Sequence, residues 1–179
     1  GPDFIQIKNN LKNREIKGFT FNPSLFKKFN VKNYLATSRK LAKLVYPKPI
    51  SLEVFADNEE EIFQQALILS KVAKNVEVKI PISYTNGKST KGVIKRLVNE
   101  NINLNLTAIF SYSQVREILG EIKDTKTILS IFAGRIHDMG IDASKEILKI
   151  SKLLKKKRSK CRLLWASTRQ IYDLILAEN

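Results

Sequence analysis

Residues 75–81 read Asn-Val-Glu-Val-Lys-Ile-Pro. In an extended strand successive side chains point to opposite faces. Val76, Val78 and Ile80 therefore share one face, and Glu77 and Lys79 the other. The run 102–110 (INLNLTAIF) divides the same way, with Leu104, Leu106 and Ala108 opposite Asn103, Asn105 and Thr107. So does 50–56 (ISLEVFA), with Leu52, Val54 and Ala56 opposite Ser51, Glu53 and Phe55. A parallel strand covered on both faces should be apolar nearly throughout. A single strand with one polar face could be an edge strand wetted on that side. Three in matched phase point instead to helices on the apolar faces and a shared, enclosed polar interior. Burying such groups is costly unless they are partnered or used.

Longer helical patterns separate these strands. Residues 34–46 are amphipathic and stop at Pro47 and Pro49. Asp57 is placed to cap a helix over roughly 58–73, with Glu59, Glu60 and Glu61 where the helix dipole favours acids. Helices are expected over 4–13, with Asp3 as cap, near 89–100, after Ser111 or Ser113, near 142–156, and over 168–177. Further strands are expected at 18–22, 127–133 and 161–167, with 134–141 a loop carrying Gly134 and Gly140. Strand–helix–strand alternation implies a parallel sheet with crossover helices. The polar positions Glu53, Lys79, Asn105 and Ser130 follow one another at intervals of 26, 26 and 25 residues. That rhythm suits a (β/α)8 barrel and a doubly wound sheet equally. No linker or low-complexity stretch interrupts 1–179, so a single domain is expected.

The chain has 179 residues, with 43% hydrophobic and 27% charged, a composition that folds. Its 32 Lys+Arg against 17 Asp+Glu give a net charge of +15, which favours anionic partners. No apolar run nears the ~20 residues of a membrane-spanning helix, and no signal-peptide pattern is visible. One cysteine, Cys161, leaves no intrachain disulfide and suits a reducing, cytoplasmic setting. One His and one Cys cannot form a zinc cluster. No Gly-rich phosphate loop is present.

Among the polar-face residues Lys79 carries the most chemistry. Enclosure strips an ammonium of the solvation that keeps it charged, and a neutral amine attacks carbonyl carbon to form a Schiff base. Glu53 is then placed to shuttle protons, and Asn105 and Thr107 to bind substrate hydroxyls. Elsewhere the ordinary readings hold. His137 is a solvated loop residue, Cys161 an inert buried thiol, Met139 local packing and Trp165 an inward strand residue. The run 155–158 (KKKR) is a solvated helix end, where cations suit the dipole.

The segments GFTFNPSL (18–25), EVFAD (53–57), VEVKIP (76–81), LNLTAIFS (104–111), SIFAGRIHDMG (130–140) and LLWASTR (163–169) together resemble the transaldolase family of class I aldolases. They occur in family order and span about the whole chain. The resemblance implies a (β/α)8 TIM barrel of transaldolase type with Lys79 as the Schiff-base lysine. It implies that Glu53 and Thr107 handle a water and protons during imine formation. Asn22, Asn105 and Ser130 would bind sugar hydroxyls or orient the lysine, Phe132 would line the substrate site, and Arg135, Ser167 and Arg169 would hold a phosphate. The implied activity moves a three-carbon dihydroxyacetone unit between sugar phosphates, as in the pentose phosphate pathway. It needs no metal or organic cofactor, because the imine is the electron sink. Family transferases tend to carry Glu and Phe where free aldolases carry Gln and Tyr, and Glu53 and Phe132 match the transferases.

Two departures accompany the resemblance. The family's TTNP is TFNP here, with Phe21 opposite Thr20 and Asn22. Six strands are readable where the barrel has eight, so this chain is expected to lack the first and last. The family's first strand ends in an aspartate that serves C–C cleavage, and Asp3 reads as a helix cap instead. The alternative reading is therefore a non-catalytic or decayed barrel that binds a sugar phosphate or another anion. Sugar phosphates are the expected partners, with neither a membrane nor nucleic acid anticipated. Open sheet edges would favour a homo-oligomer.

Overall fold

The computed structural model describes residues 1–178. They form two compact units, one of residues 1–80 with 101–103, the other of 81–100 with the chain from Leu104 onward.

The first unit holds α1 (Phe4–Leu11), β1 (Phe19–Thr20), α2 (Pro23–Lys28), α3 (Tyr34–Val45), β2 (Ile50–Glu53), α4 (Glu59–Ser70) and β3 (Val76–Pro81). β1, β2 and β3 pair in that order, all parallel. The register sets Ser51 beside Glu77 and Glu53 beside Lys79, so the polar faces of β2 and β3 coincide. Leu52, Val78 and Ile80 are fully buried on the opposite face, as are Leu41 of α3 and Ala66 of α4. Each of the Leu, Val and Ile side chains contributes about 1.5–3 kcal/mol when fully buried. Asp3 caps α1, its carboxylate accepting from the amides of Ile5 and Gln6 at 2.9 and 3.1 Å. The cap of α4 is Asn58, not Asp57. Its Oδ1 accepts from the Glu61 amide at 3.0 Å, and the three glutamates then fill the first turn. Phe21 is buried, its ring edge-on to Phe26 at 5.8 Å. The family departure at this position is a packing residue.

The second unit holds α5 (Lys91–Asn99), β4 (Leu104–Ile109), α6 (Tyr112–Ile122), β5 (Ile128–Phe132), α7 (Ala133–Asp138), α8 (Ala143–Lys156), β6 (Arg162–Ala166) and α9 (Tyr172–Glu178). β4, β5 and β6 also pair in chain order and in parallel. Ser111 caps α6 in a reciprocal box with Gln114. Simple alternation fails at Ala108, which takes φ +56° where the β4–β5 register shifts between Leu106 and Ile109. The expected loop over 134–141 is a correction as well. β5 runs straight into α7, and only Gly140, at φ +73°, turns the chain. Nothing in AGRIHD breaks a helix, and Gly134 is there for close approach rather than for a turn, as the site makes plain.

Candidate active site

In the first unit, Lys79 Nζ donates to Glu53 Oε2 at 3.0 Å. The matched register of two parallel strands produces this contact, because neighbouring residues on one face face each other across the ladder. Lys79 is only 8% exposed, and the Glu53 side chain 15%. One step back along the same face, Ser51 Oγ donates to Glu77 Oε2 at 3.3 Å. The face is thus a ladder of charge and hydroxyl with little access to water.

Sequence reasoning missed Tyr34. It is the first residue of α3, and its hydroxyl donates to the Glu53 backbone carbonyl at 2.9 Å. Burial, and then the nearby Glu53 carboxylate, push its phenol far above the ordinary value. Its ring packs edge-on against Phe26 at 4.5 Å and Phe55 at 4.6 Å. The aromatic residues were visible in the sequence, but no spacing rule links a helix start to a strand end 19 positions later. Asn22 caps α2, its Oδ1 accepting from the Leu25 amide at 2.9 Å, with Pro23 at the first helical position where its missing amide is harmless.

In the second unit, Ser130 Oγ donates to Asn105 Oδ1 at 2.7 Å with both side chains buried. Thr107 is buried too, and its Oγ1 has no hydrogen-bond partner among the described residues. Such a hydroxyl is costly to leave unmatched. Phe132 ends β5 with its ring 5.7 Å from Phe110. Arg135 is exposed on α7. Ser167 follows β6 at φ +60°, an uncommon conformation for a residue with a side chain. Arg169 is exposed, and its guanidinium pairs with Asp138 at 2.9 Å.

Gly134 joins these last pieces. A Cβ there would sit 1.9 Å from the Ser167 carbonyl oxygen and 2.8 Å from Arg169 Cγ. Only glycine lets α7 lie this close to 167–169. Asp173 then fixes the loop, its buried carboxylate accepting from the Arg169 amide at 2.6 Å and the Gln170 amide at 3.3 Å. Arg135, Ser167 and Arg169 are therefore presented by two segments in van der Waals contact. Among the described residues no group of three or more His, Cys, Asp or Glu could hold a metal ion. No described helix is long and apolar enough to cross a membrane.

The sequence model of the transaldolase/fructose-6-phosphate aldolase family matches residues 2–178. The chain belongs to this family. A probable transaldolase of Bartonella henselae is 32% identical over 156 residues, covering 87% of this chain and 68% of the relative. Another from Chelativorans sp. is 33% identical over the same length and shares. One from Dehalococcoides mccartyi is 30% identical over 164 residues, 92% of this chain and 73% of the relative. The alternating parallel strands and helices are accordingly part of a (β/α)8 barrel of the transaldolase type. Of the residues that the resemblance singled out, Glu53 with Lys79, Asn105 with Ser130, and Gly134-backed Arg135 with 167–169 are each joined locally. Asp3 is committed to capping α1.

Proposed function

We propose that this chain is a class I enzyme that transfers a three-carbon dihydroxyacetone unit between sugar phosphates through a Schiff base on Lys79. The buried Lys79–Glu53 contact carries the reading. A lysine becomes nucleophilic once its proton leaves, and a carboxylate hydrogen-bonded to the ammonium is the nearest acceptor. The neutral amine attacks C2 of a ketose phosphate, giving a carbinolamine. Glu53, now protonated, assists loss of water to the imine. The electron pair of the C3–C4 bond flows into the iminium as the C4 hydroxyl passes its proton to Glu53, a carboxylate again once the water has left, and an aldose phosphate leaves. The remaining enamine attacks the aldehyde of an acceptor, and water releases the new ketose from Lys79.

The unpartnered Thr107 hydroxyl suits the water that is released and later consumed. Asn105 and Ser130 suit sugar hydroxyls, with Phe132 an apolar wall on the same strand as Ser130, and Asn22 suits a further hydroxyl. Arg135 and Arg169, with Ser167 between α7 and α9, suit a phosphate, whose oxygens match guanidinium forks. Arg169 would exchange Asp138 for that phosphate at little cost, since the pair is exposed.

Borohydride trapping tests the reading. With fructose 6-phosphate present, reduction should fix a dihydroxyacetone-sized or hexose-sized mass on the peptide carrying Lys79. Lys79→Arg should abolish it. A folded wild-type chain that gains no mass at Lys79 overturns the proposal. A second reading, sugar-phosphate binding without turnover, is favoured by one observation, the engagement of Asp3 as a cap. Binding of fructose 6-phosphate with neither adduct nor transfer to an aldose phosphate would select it.

A further inference from the structure

The run 155–158 looks in sequence like a helix end bathed in water, and the helix dipole accounts for one or two cations there. The fold gives it a neighbour that no linear reading supplies. The Lys160 amide donates to the Lys123 carbonyl at 2.7 Å, and Ser159 Oγ to the same oxygen at 3.2 Å. The Arg162 amide donates to Thr127 at 2.9 Å, and its guanidinium to the Lys126 carbonyl at 3.4 Å. The α6–β5 and α8–β6 loops are thus stitched side by side. Segments 123–126 and 155–160 together carry seven cations against the single carboxylate of Asp124, and all seven cationic side chains are exposed.

The end of α8 reinforces the point. Ser159 donates to Leu154 and Arg158 to Lys155, the paired bonds of a Schellman turn. Arg158 sits at its left-handed position with φ +51°, where glycine is the default residue. A charged side chain is kept at a conformational cost. The apolar neighbours Ile122, Leu153 and Leu154 are buried, so nothing there could dip into a lipid boundary. No aromatic residue lies in either loop to stack on a base.

We propose that these two loops form a binding surface for the phosphodiester backbone of duplex nucleic acid, without sequence preference. An exposed, strongly cationic surface rich in lysine suits regularly spaced phosphates and their released counterions. The surface lies at the strand-entry end of β5 and β6, whereas Phe132 and Ser167 lie at the exit end, so it is separate from the sugar-phosphate residues of this unit.

The test is anisotropy of a labelled DNA duplex of about 20 base pairs, titrated from about 50 to 200 mM salt. Wild type should bind with log affinity falling linearly in log salt. Lys156→Gln, Lys157→Gln and Lys160→Gln combined should make the slope shallower by about 0.9 for each contact removed. Lys27→Gln, Lys28→Gln and Lys32→Gln combined lower the net charge equally elsewhere and should leave the slope in place. Arg158→Gly should bind more weakly yet melt no lower than wild type, which also decides the matter if the triple variant fails to fold. Absence of duplex binding overturns the proposal. So do equal losses in the two triple variants, Arg158→Gly binding as tightly as wild type, or binding to phosphatidylserine vesicles in place of the duplex.

Discussion

Glu53 and Lys79 stand 26 positions apart in sequence and meet at 3.0 Å, each on one face of adjacent parallel strands in matched register. The pair is nearly dry, so its proton has one nearby destination. Glu53→Gln keeps the shape and an acceptor oxygen but cannot take that proton. Borohydride trapping on Lys79 should slow by about 10²–10⁴-fold, with the thermal melt retained. Trapping at the wild-type rate would remove Glu53 from the proton path.

Tyr34 holds the end of β2 through the Glu53 carbonyl. Tyr34→Phe preserves the ring contacts with Phe26 and Phe55 and deletes one hydrogen bond, so about 1 kcal/mol of stability should be lost. The phenol also sets an alkaline dependence. Its folded-state value is raised, so its contribution is intact below the ordinary 10.0 and falls away as pH rises beyond it. Denaturant midpoints of wild type and Tyr34→Phe should therefore converge above pH 10. Parallel curves there would contradict the burial of the hydroxyl.

Gly134 and Gly120 should respond oppositely to alanine. At Gly134 the new methyl meets the Ser167 carbonyl at 1.9 Å, and about 1–3 kcal/mol should be lost, together with affinity for a sugar phosphate. Gly120 lies inside α6 with nothing within 4 Å of an added Cβ, so Gly120→Ala should gain about 0.5–1 kcal/mol. Calorimetry on the two variants checks both signs.

Glu146 ties α8 to α6, accepting from Lys149 and from the Tyr112 amide. Those two bonds, Lys149 first, hold its carboxyl below the ordinary 4.5. The stabilisation is present above 4.5 and disappears as pH falls through the lowered folded value. Acid unfolding of wild type should show this loss, and Glu146→Gln should flatten that part of the curve. An unchanged acid limb would show that the exposed pair contributes nothing.

Periodicity carried the fold far. The alternation of Val76, Val78 and Ile80 against Glu77 and Lys79 follows from strand geometry alone, and it placed the apolar faces and the polar ladder correctly. Caps could be read where an Asp or Ser precedes a helical pattern, as at Asp3 and at Ser111 of the Ser111–Ser113 pair, because the capping bond is local, although Asn58 rather than the adjacent Asp57 took the next one. Only the tertiary structure settled what depends on distant segments meeting. The Tyr34 bond to Glu53, the Gly134 approach to Ser167, the Asp173 clamp on Arg169 and the joining of two basic loops all arise this way. Side-chain alternation is a property of one chain segment, whereas contact across elements depends on how crossover helices and loops return the chain, and no short-range pattern encodes that return.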